Sequence, residues 1–206
     1  MLRLFFVFIA ILAAPAVQAG GEEQLRAFLS DLDSLRAGFE QKLFNESGDL
    51  LETAEGELYL QRPGKFNWTY QSPYQQQIIT DGKTLWIYDQ DLEQVTIRNM
   101  GESMQASPAA ILGGSANIDE LYDITELGEL EGYDWVRLES RDDDSQYSDV
   151  RMGFDGRELG MMILSDNLSQ TTRIDFSNVV LNTDIDAARF EFTPPPDVDV
   201  IDDRQQ

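Results

Sequence analysis

The side chains that carry most covalent chemistry in proteins are missing from this sequence, which has no histidine and no cysteine in 206 residues. That removes Ser-His-Asp triads, Cys-His pairs and His- or Cys-bearing zinc sites together. Carboxylate chemistry remains. With 38 Asp and Glu, pairs spaced like a glycosidase acid and nucleophile arise by chance, so spacing singles out none of them. The run Asp142-Asp143-Asp144 lacks the spaced ligands and the glycine of a calcium loop and reads as a solvated hairpin tip. No catalytic residue, metal ligand or cofactor is assigned, and the chain is expected not to be an enzyme.

The informative side chains are those that bind by shape and apolar contact. The stretch from Gly56 to Val95, GELYLQRPGKFNWTYQSPYQQQIITDGKTLWIYDQDLEQV, lays aromatic and aliphatic residues along successive short strands. Phe66, Trp68 and Tyr70 alternate with Lys65, Asn67 and Thr69, and Val150, Met152 and Phe154 alternate with Asp149, Arg151 and Gly153. Such period-2 patterns give each strand one apolar and one wet face. The expected lining of an apolar interior is Phe66, Trp68, Leu85, Ile87, Met152, Phe154, Met161 and Ile163, with Met100 and Met104 facing it from a lid. The parity of Leu85 to Tyr88 stays open, because that strand is apolar on both faces. Methionine suits such a wall because its unbranched thioether adapts to ligands of variable shape. Each of these residues taken alone also fits ordinary core packing, and Arg62 taken alone fits a solvated strand end.

Several elements must position this wall. Residues 1–19 carry one cation, Arg3, an apolar run from Leu4 to Val17, and small residues at Val17 and Ala19, the pattern of a cleaved secretory signal peptide. No second apolar run of about 18 residues follows, so residues 20–206 are read as one soluble domain without a lipid anchor. From Glu22, the residues Leu25, Phe28, Leu29, Leu32 and Leu35 recur at helical spacing behind first-turn acids. After about Gly38 the period changes to 2, and about a dozen antiparallel strands follow, from Phe39–Asn45 to Phe190–Phe192. Asp81-Gly82 and Asp155-Gly156 mark two hairpins with type I′ turns. The middle, residues 100–121, is rich in small residues: Ser107 caps a helix that starts at Pro108, runs through Ile111 and Leu112 and stops at Gly113. Asn117 caps a second one, from Ile118 to Leu121.

These elements predict a mainly β fold: a single incomplete, unclosed antiparallel barrel of about eleven strands with a lid of about three α-helices. A closed barrel of about eight strands is filled by its own side chains. More strands leave room that helices or an apolar ligand must occupy, since an unfilled interior forfeits dispersion contacts. The net charge of −23 falls by one more when the leader and its Arg3 are removed. Nucleic acid and anionic lipid surfaces are therefore poor partners.

The order Arg62-Pro63, Phe66-x-Trp68-x-Tyr70, Pro73, Asp81-Gly82 and Leu85-Trp86-x-Tyr88-Asp89 resembles the LolA family of periplasmic carriers of outer-membrane lipoproteins. Further pieces extend the likeness: Gly38-Phe39-x-Gln41, Ser107-Pro108-Ala109-Ala110-x-Leu112, and Phe190-x-Phe192-x-x-Pro195 before Asp197-Val198-Asp199-Val200-Ile201. The resemblance implies a monomer in the periplasm of a Gram-negative bacterium. It implies acylated lipoproteins as cargo, taken from an inner-membrane ATP-driven transporter and passed to an outer-membrane receptor. It also implies that Arg62 closes the lid by hydrogen bonds to lid backbone. A sensor or carrier for another amphiphile on the same fold is the alternative. Val198, Val200 and Ile201 are expected to dock as an edge strand or against the lid, and the final DDRQQ to be disordered.

Overall fold

The computed structural model describes residues 20–100, 108–113, 118–142 and 145–204. The expected leader, Met104, the caps at Ser107 and Asn117, and Asp143-Asp144 lie outside the described residues. In chain order the elements are α1 (Gly21–Asp31), β1 (Ser34–Phe44), β2 (Leu50–Gln61), β3 (Lys65–Ser72), β4 (Gln76–Thr80), β5 (Thr84–Asp89) and β6 (Gln94–Asn99). After them come α2 (Pro108–Gly113), α3 (Ile118–Leu121), β7 (Tyr122–Leu130), β8 (Tyr133–Ser140), β9 (Tyr147–Asp155), β10 (Glu158–Asp166), β11 (Thr171–Leu181) and β12 (Asp199–Asp202).

All strands join one 12-stranded sheet in the order β12-β6-β5-β4-β3-β2-β1-β11-β10-β9-β8-β7. Two antiparallel meanders, β1 to β6 and β7 to β11, meet at the β1–β11 pair. The sheet does not close, and β12 and β7 are its edges. Among the described residues the unclosed sheet and three α-helices are as expected, with twelve strands where about eleven were predicted. The tail is β12, which pairs parallel to β6 through Asp199 with Gln94 and Val200 with Val95. Asp203 then donates its N–H to the Ile97 carbonyl at 2.9 Å, so order runs past Asp202 into the stretch expected to be disordered.

The change of period falls earlier than its apolar spacing suggested. α1 stops at Asp31 because Asn182 Nδ2 donates to the Asp31 carbonyl at 2.7 Å, while Asp33 N donates to Asn182 Oδ1 at 2.8 Å. That bridge ends the helix and starts β1, so Leu35 belongs to the sheet. The predicted strand Phe190–Phe192 is not one: residues Ala187–Phe190 form a 3-10 turn, with the Asp186 side chain accepting from Ala188 N. At both Asp-Gly steps the type I′ expectation is also corrected: between paired Thr80 and Leu85 Gly82 has positive φ, at 94°, and Asp81 does not. Only Gly156, at φ 61°, has positive φ in the loop between paired Asp155 and Glu158, which is the type II′ pattern.

The two faces of the sheet have different covers. Leu58, Leu60, Phe66, Trp68, Val136, Met152, Phe154 and Met162 turn inward and form one buried cluster with Leu25, Phe28 and Leu32 of the α1 segment and Leu112 of α2. On the outer face the chain after β11 runs back over the first meander. Phe192 stacks on Trp86 and Tyr88 at 6.3 and 5.5 Å, Asn67 Nδ2 donates to the Arg189 carbonyl at 2.8 Å, and Arg189 lies 4.5 Å over the Tyr59 ring. Phe190 and Ile185 are buried there.

Candidate functional site

Arg62 directly follows β2 and projects at the helices. Its Nε and Nη2 both donate to the Leu112 carbonyl, at 3.1 and 3.0 Å, and its Nη1 donates to the Leu29 carbonyl. The planar fork thus reaches two helices at once, the last turn of α2 and the last turns of α1. A lysine, with one compact ammonium, cannot reproduce that geometry. These carbonyls are the acceptors that a helix end leaves without intrahelical partners. Burial lowers the guanidinium's pKa below its usual value, and the nearby Asp33 carboxylate opposes the shift. A second tie runs through backbone, Gly64 N to the Gly113 carbonyl at 3.3 Å.

The other side of the lid is tied by charge. Arg26 on α1 donates bidentately to Asp119 on α3, at 2.8 and 2.7 Å, and to Glu22 one turn back. Asp119 is held below the usual carboxylate range by those bonds. Both partners are exposed, so this pair is a weak link compared with Arg62. Gln24 Nε2 donates to Asp134 Oδ2 at 2.6 Å and Gly21 N to Glu126 Oε1 at 3.1 Å, which anchors the start of α1 on β7 and β8.

Beneath the lid lies the apolar wall. Phe66, Trp68, Leu85, Met152 and Phe154 are all in the inner cluster, and Ile87 packs against it half-buried. The open parity of β5 resolves with Leu85 and Ile87 inward and Trp86 and Tyr88 outward, against Phe192. Phe28 of α1 inserts over Phe154 with ring centroids 5.6 Å apart, and Leu112 is fully buried. The lid side chains therefore occupy the space that the strand count left to be filled.

Two expected lining residues sit elsewhere. Met161 and Ile163 are on the outer face: Met161 pairs with Gly153, and Ile163 lies between Arg151 and Arg173. The residues that turn inward on β10 are Leu159, Met162 and Leu164. The physical reason is a bulge at Gly160, where the register shifts between Leu159 and Met161 and the alternation slips by one. Of the lid residues, Met100 and Ile111 are in the cluster and Ile118 packs against it, whereas Leu121 is 48% exposed and does not. Met100 Sδ accepts from Thr80 Oγ1 at 2.7 Å, which seats the start of the lid segment on β4. Pro108 opens α2 as expected.

Sequence reasoning did not assign Phe39, Tyr70 and Phe176 to the wall. They form an aromatic group around Trp68, with centroids 4.7, 6.4 and 6.5 Å from it. Tyr70 donates to Gln41 Oε1 at 3.1 Å, and burial pushes its phenol well above the usual range. For Tyr70 the signal was present, as the third member of the alternating Phe66, Trp68, Tyr70 row. Among the described residues no cluster of acidic side chains could hold a metal ion, and no helix is long and apolar enough to cross a membrane.

Comparison with known proteins agrees with this geometry. Residues 30–193 match the family model described as outer membrane lipoprotein carrier protein LolA. The chain is 44% identical over 190 residues to the outer-membrane lipoprotein carrier protein of Chromobacterium violaceum, covering 92% of this chain and 91% of that one. It is 39% identical over 183 residues to the protein of the same name from Methylococcus capsulatus, covering 89% and 88%. A solved structure of an uncharacterized conserved protein from Thermus thermophilus shares the fold, with a TM-score of 0.59 at 11% identity, over 88% of this chain and 98% of that one. A twelve-stranded unclosed sheet, helices over it bonded to Arg62, and a family match across most of its length place this chain in the LolA family of outer-membrane lipoprotein carriers.

Proposed function

We propose that this protein is a periplasmic carrier that takes lipoproteins released from the inner membrane, shields their acyl chains against the inner face of its sheet and delivers them to an outer-membrane receptor. It acts by binding and release, not by catalysis. The need is physical: at about 0.8 kcal/mol per methylene, one long acyl chain in water costs on the order of 10 kcal/mol. The observation that carries the reading is the position of Arg62, which ties both α1 and α2 across an otherwise apolar cluster. The fully buried wall is reached when those ties break.

Transfer without an energy source requires that cargo be held less tightly than in the receptor's pocket. A closed lid that competes with the ligand for the same wall provides that balance, because only a differential interaction with open and closed states shifts the equilibrium. In this reading Phe28 and Leu112 are the competitors, and Arg62 sets the strength of the closed state. The donor of cargo is an inner-membrane ATP-driven transporter, and the protein works as a monomer. The test is incubation with inner-membrane vesicles bearing that transporter, followed by identification of what co-purifies. Acylated polypeptide is expected in the soluble fraction, and its absence would defeat the reading. Arg62→Leu is expected to take up cargo but to pass it on poorly; wild-type transfer by that variant would remove Arg62 from the mechanism.

A further inference from the structure

Trp68 lies midway along β3, on the inner face, with 4% exposure. Its Nε1 has no hydrogen-bond partner. The contrast with Trp135 on the outer face is direct, since that indole gives its N–H to the Leu130 carbonyl at 3.0 Å. Buried donors are almost always paired, so an orphan of this kind calls for an explanation. Trp68 Nε1 faces the Tyr70 hydroxyl closely enough to favour its ionised form, yet does not reach hydrogen-bond geometry. Tyr70 gives its own proton to Gln41 Oε1 at 3.1 Å, so its oxygen is a nearby acceptor with which a bound carbonyl competes for the indole N–H.

We propose that Trp68 Nε1 is the donor for the carbonyl of a bound acyl group, ester or amide, and so fixes how deep each chain sits. The inference rests on the carrier reading above. The rings around the indole, Phe39, Tyr70 and Phe176, carry no charge. An anionic acceptor there would be buried without compensation, whereas a neutral carbonyl needs only one donor. An acyl chain has one such carbonyl, at its head. With that group at Trp68, the methylenes run along Leu58, Leu60 and Phe66 toward the lid. The head group then faces the opposite end of the sheet, where Tyr74 donates to Glu52 Oε1 at 3.0 Å. A hydrogen bond of this kind selects chemistry that apolar contact alone cannot, because an ether of the same length fills the same space without accepting as well.

The experiment compares three fluorescent probes of equal chain length, joined to the same head group by ester, amide or ether links, on the wild type, Trp68→Phe and Tyr70→Phe. Wild type is expected to prefer ester and amide over ether by about tenfold, the factor for one neutral hydrogen bond. Trp68→Phe is expected to lose that preference, read as the ratio of ester to ether affinity so that a general loss of contact cancels, and a wild-type circular dichroism spectrum shows that it folds. Tyr70→Phe keeps the preference. In the wild type, which has three tryptophans, one indole N–H resonance moves downfield with ester or amide probe and not with ether. Equal affinity for all three probes in wild type, or a preference lost in Tyr70→Phe and kept in Trp68→Phe, overturns the assignment and leaves the carrier reading standing. Failure of every probe to bind wild type overturns both.

Discussion

Arg62 and Leu112, fifty positions apart in sequence, are joined by two hydrogen bonds into one carbonyl, from Nε at 3.1 Å and Nη2 at 3.0 Å. The bonds cross from the residue after β2 to the end of α2, so α2 cannot move away from β2 without breaking this pair. Arg62→Lys keeps the cation and loses the fork. Amide exchange at Gly64, whose N–H is bonded to the Gly113 carbonyl, is expected to speed up by about tenfold, as for about 1.4 kcal/mol of lost closure. Unchanged protection there would show that the latch lies elsewhere.

Phe28 tests whether the lid itself fills the wall. It is 3% exposed and lies 5.6 Å from Phe154. Phe28→Ala is expected to cost about 3 kcal/mol of stability and to raise binding of an apolar dye, because the space above Phe154 opens. Phe190→Ala removes a similarly buried ring from the outer face and should lower the melting temperature without changing acyl-probe affinity. If both variants alter probe binding equally, the inner face is not the binding face.

Gly56 marks where β2 comes too close to β3 for any side chain. A Cβ there would sit 1.9 Å from the Thr69 carbonyl oxygen and 2.8 Å from Phe39 Cζ. Backbone cannot yield as a flexible side chain does, so Gly56→Ala is expected to destabilise by about 1–3 kcal/mol through forced strand displacement. Urea denaturation at neutral pH reads this, and a midpoint equal to wild type would contradict the packing described.

Burial raises the phenols of Tyr70, Tyr122 and Tyr147 above the ordinary value of 10.0, and it pushes Tyr74, which also donates to Glu52, up to about 12. A raised folded-state value means that the folded chain keeps protons which the unfolded chain releases. Stability is therefore intact below pH 10 and declines as pH rises from there through the folded-state values. The loss per fully protonated phenol is at most about 1.4 kcal/mol per pH unit. Tyr70→Phe should flatten this alkaline decline, measured as the denaturation midpoint between pH 9 and 11. A slope identical to wild type would exclude Tyr70 as a contributor.

Local regularities in the chain made much of this legible. Alternation in Phe66-x-Trp68-x-Tyr70 and Val150-x-Met152-x-Phe154 named the inner face correctly, since strand geometry sends successive side chains to opposite sides whatever the rest of the protein does. Helical spacing in Leu25, Phe28 and Leu32 likewise found the stripe that α1 lays on the sheet. The absence of histidine and cysteine excluded their chemistry before any fold was known.

Other features depended on residues far away in the chain. A bulge at Gly160 exchanged Met161 and Ile163 for Met162 and Leu164, and Tyr133, whose ring would collide with any Cβ at Gly160, lies on a different strand. The end of α1 was set by Asn182 on the far side of the sequence, against the pull of Leu35's helical spacing. Trp68 reads as one more apolar residue in its strand; only the folded shell of Phe39, Tyr70 and Phe176 leaves its N–H without a hydrogen bond. Periodicity is a property of neighbours along the chain, whereas parity after a bulge, helix termination and hydrogen-bond satisfaction are settled by what the fold brings into contact.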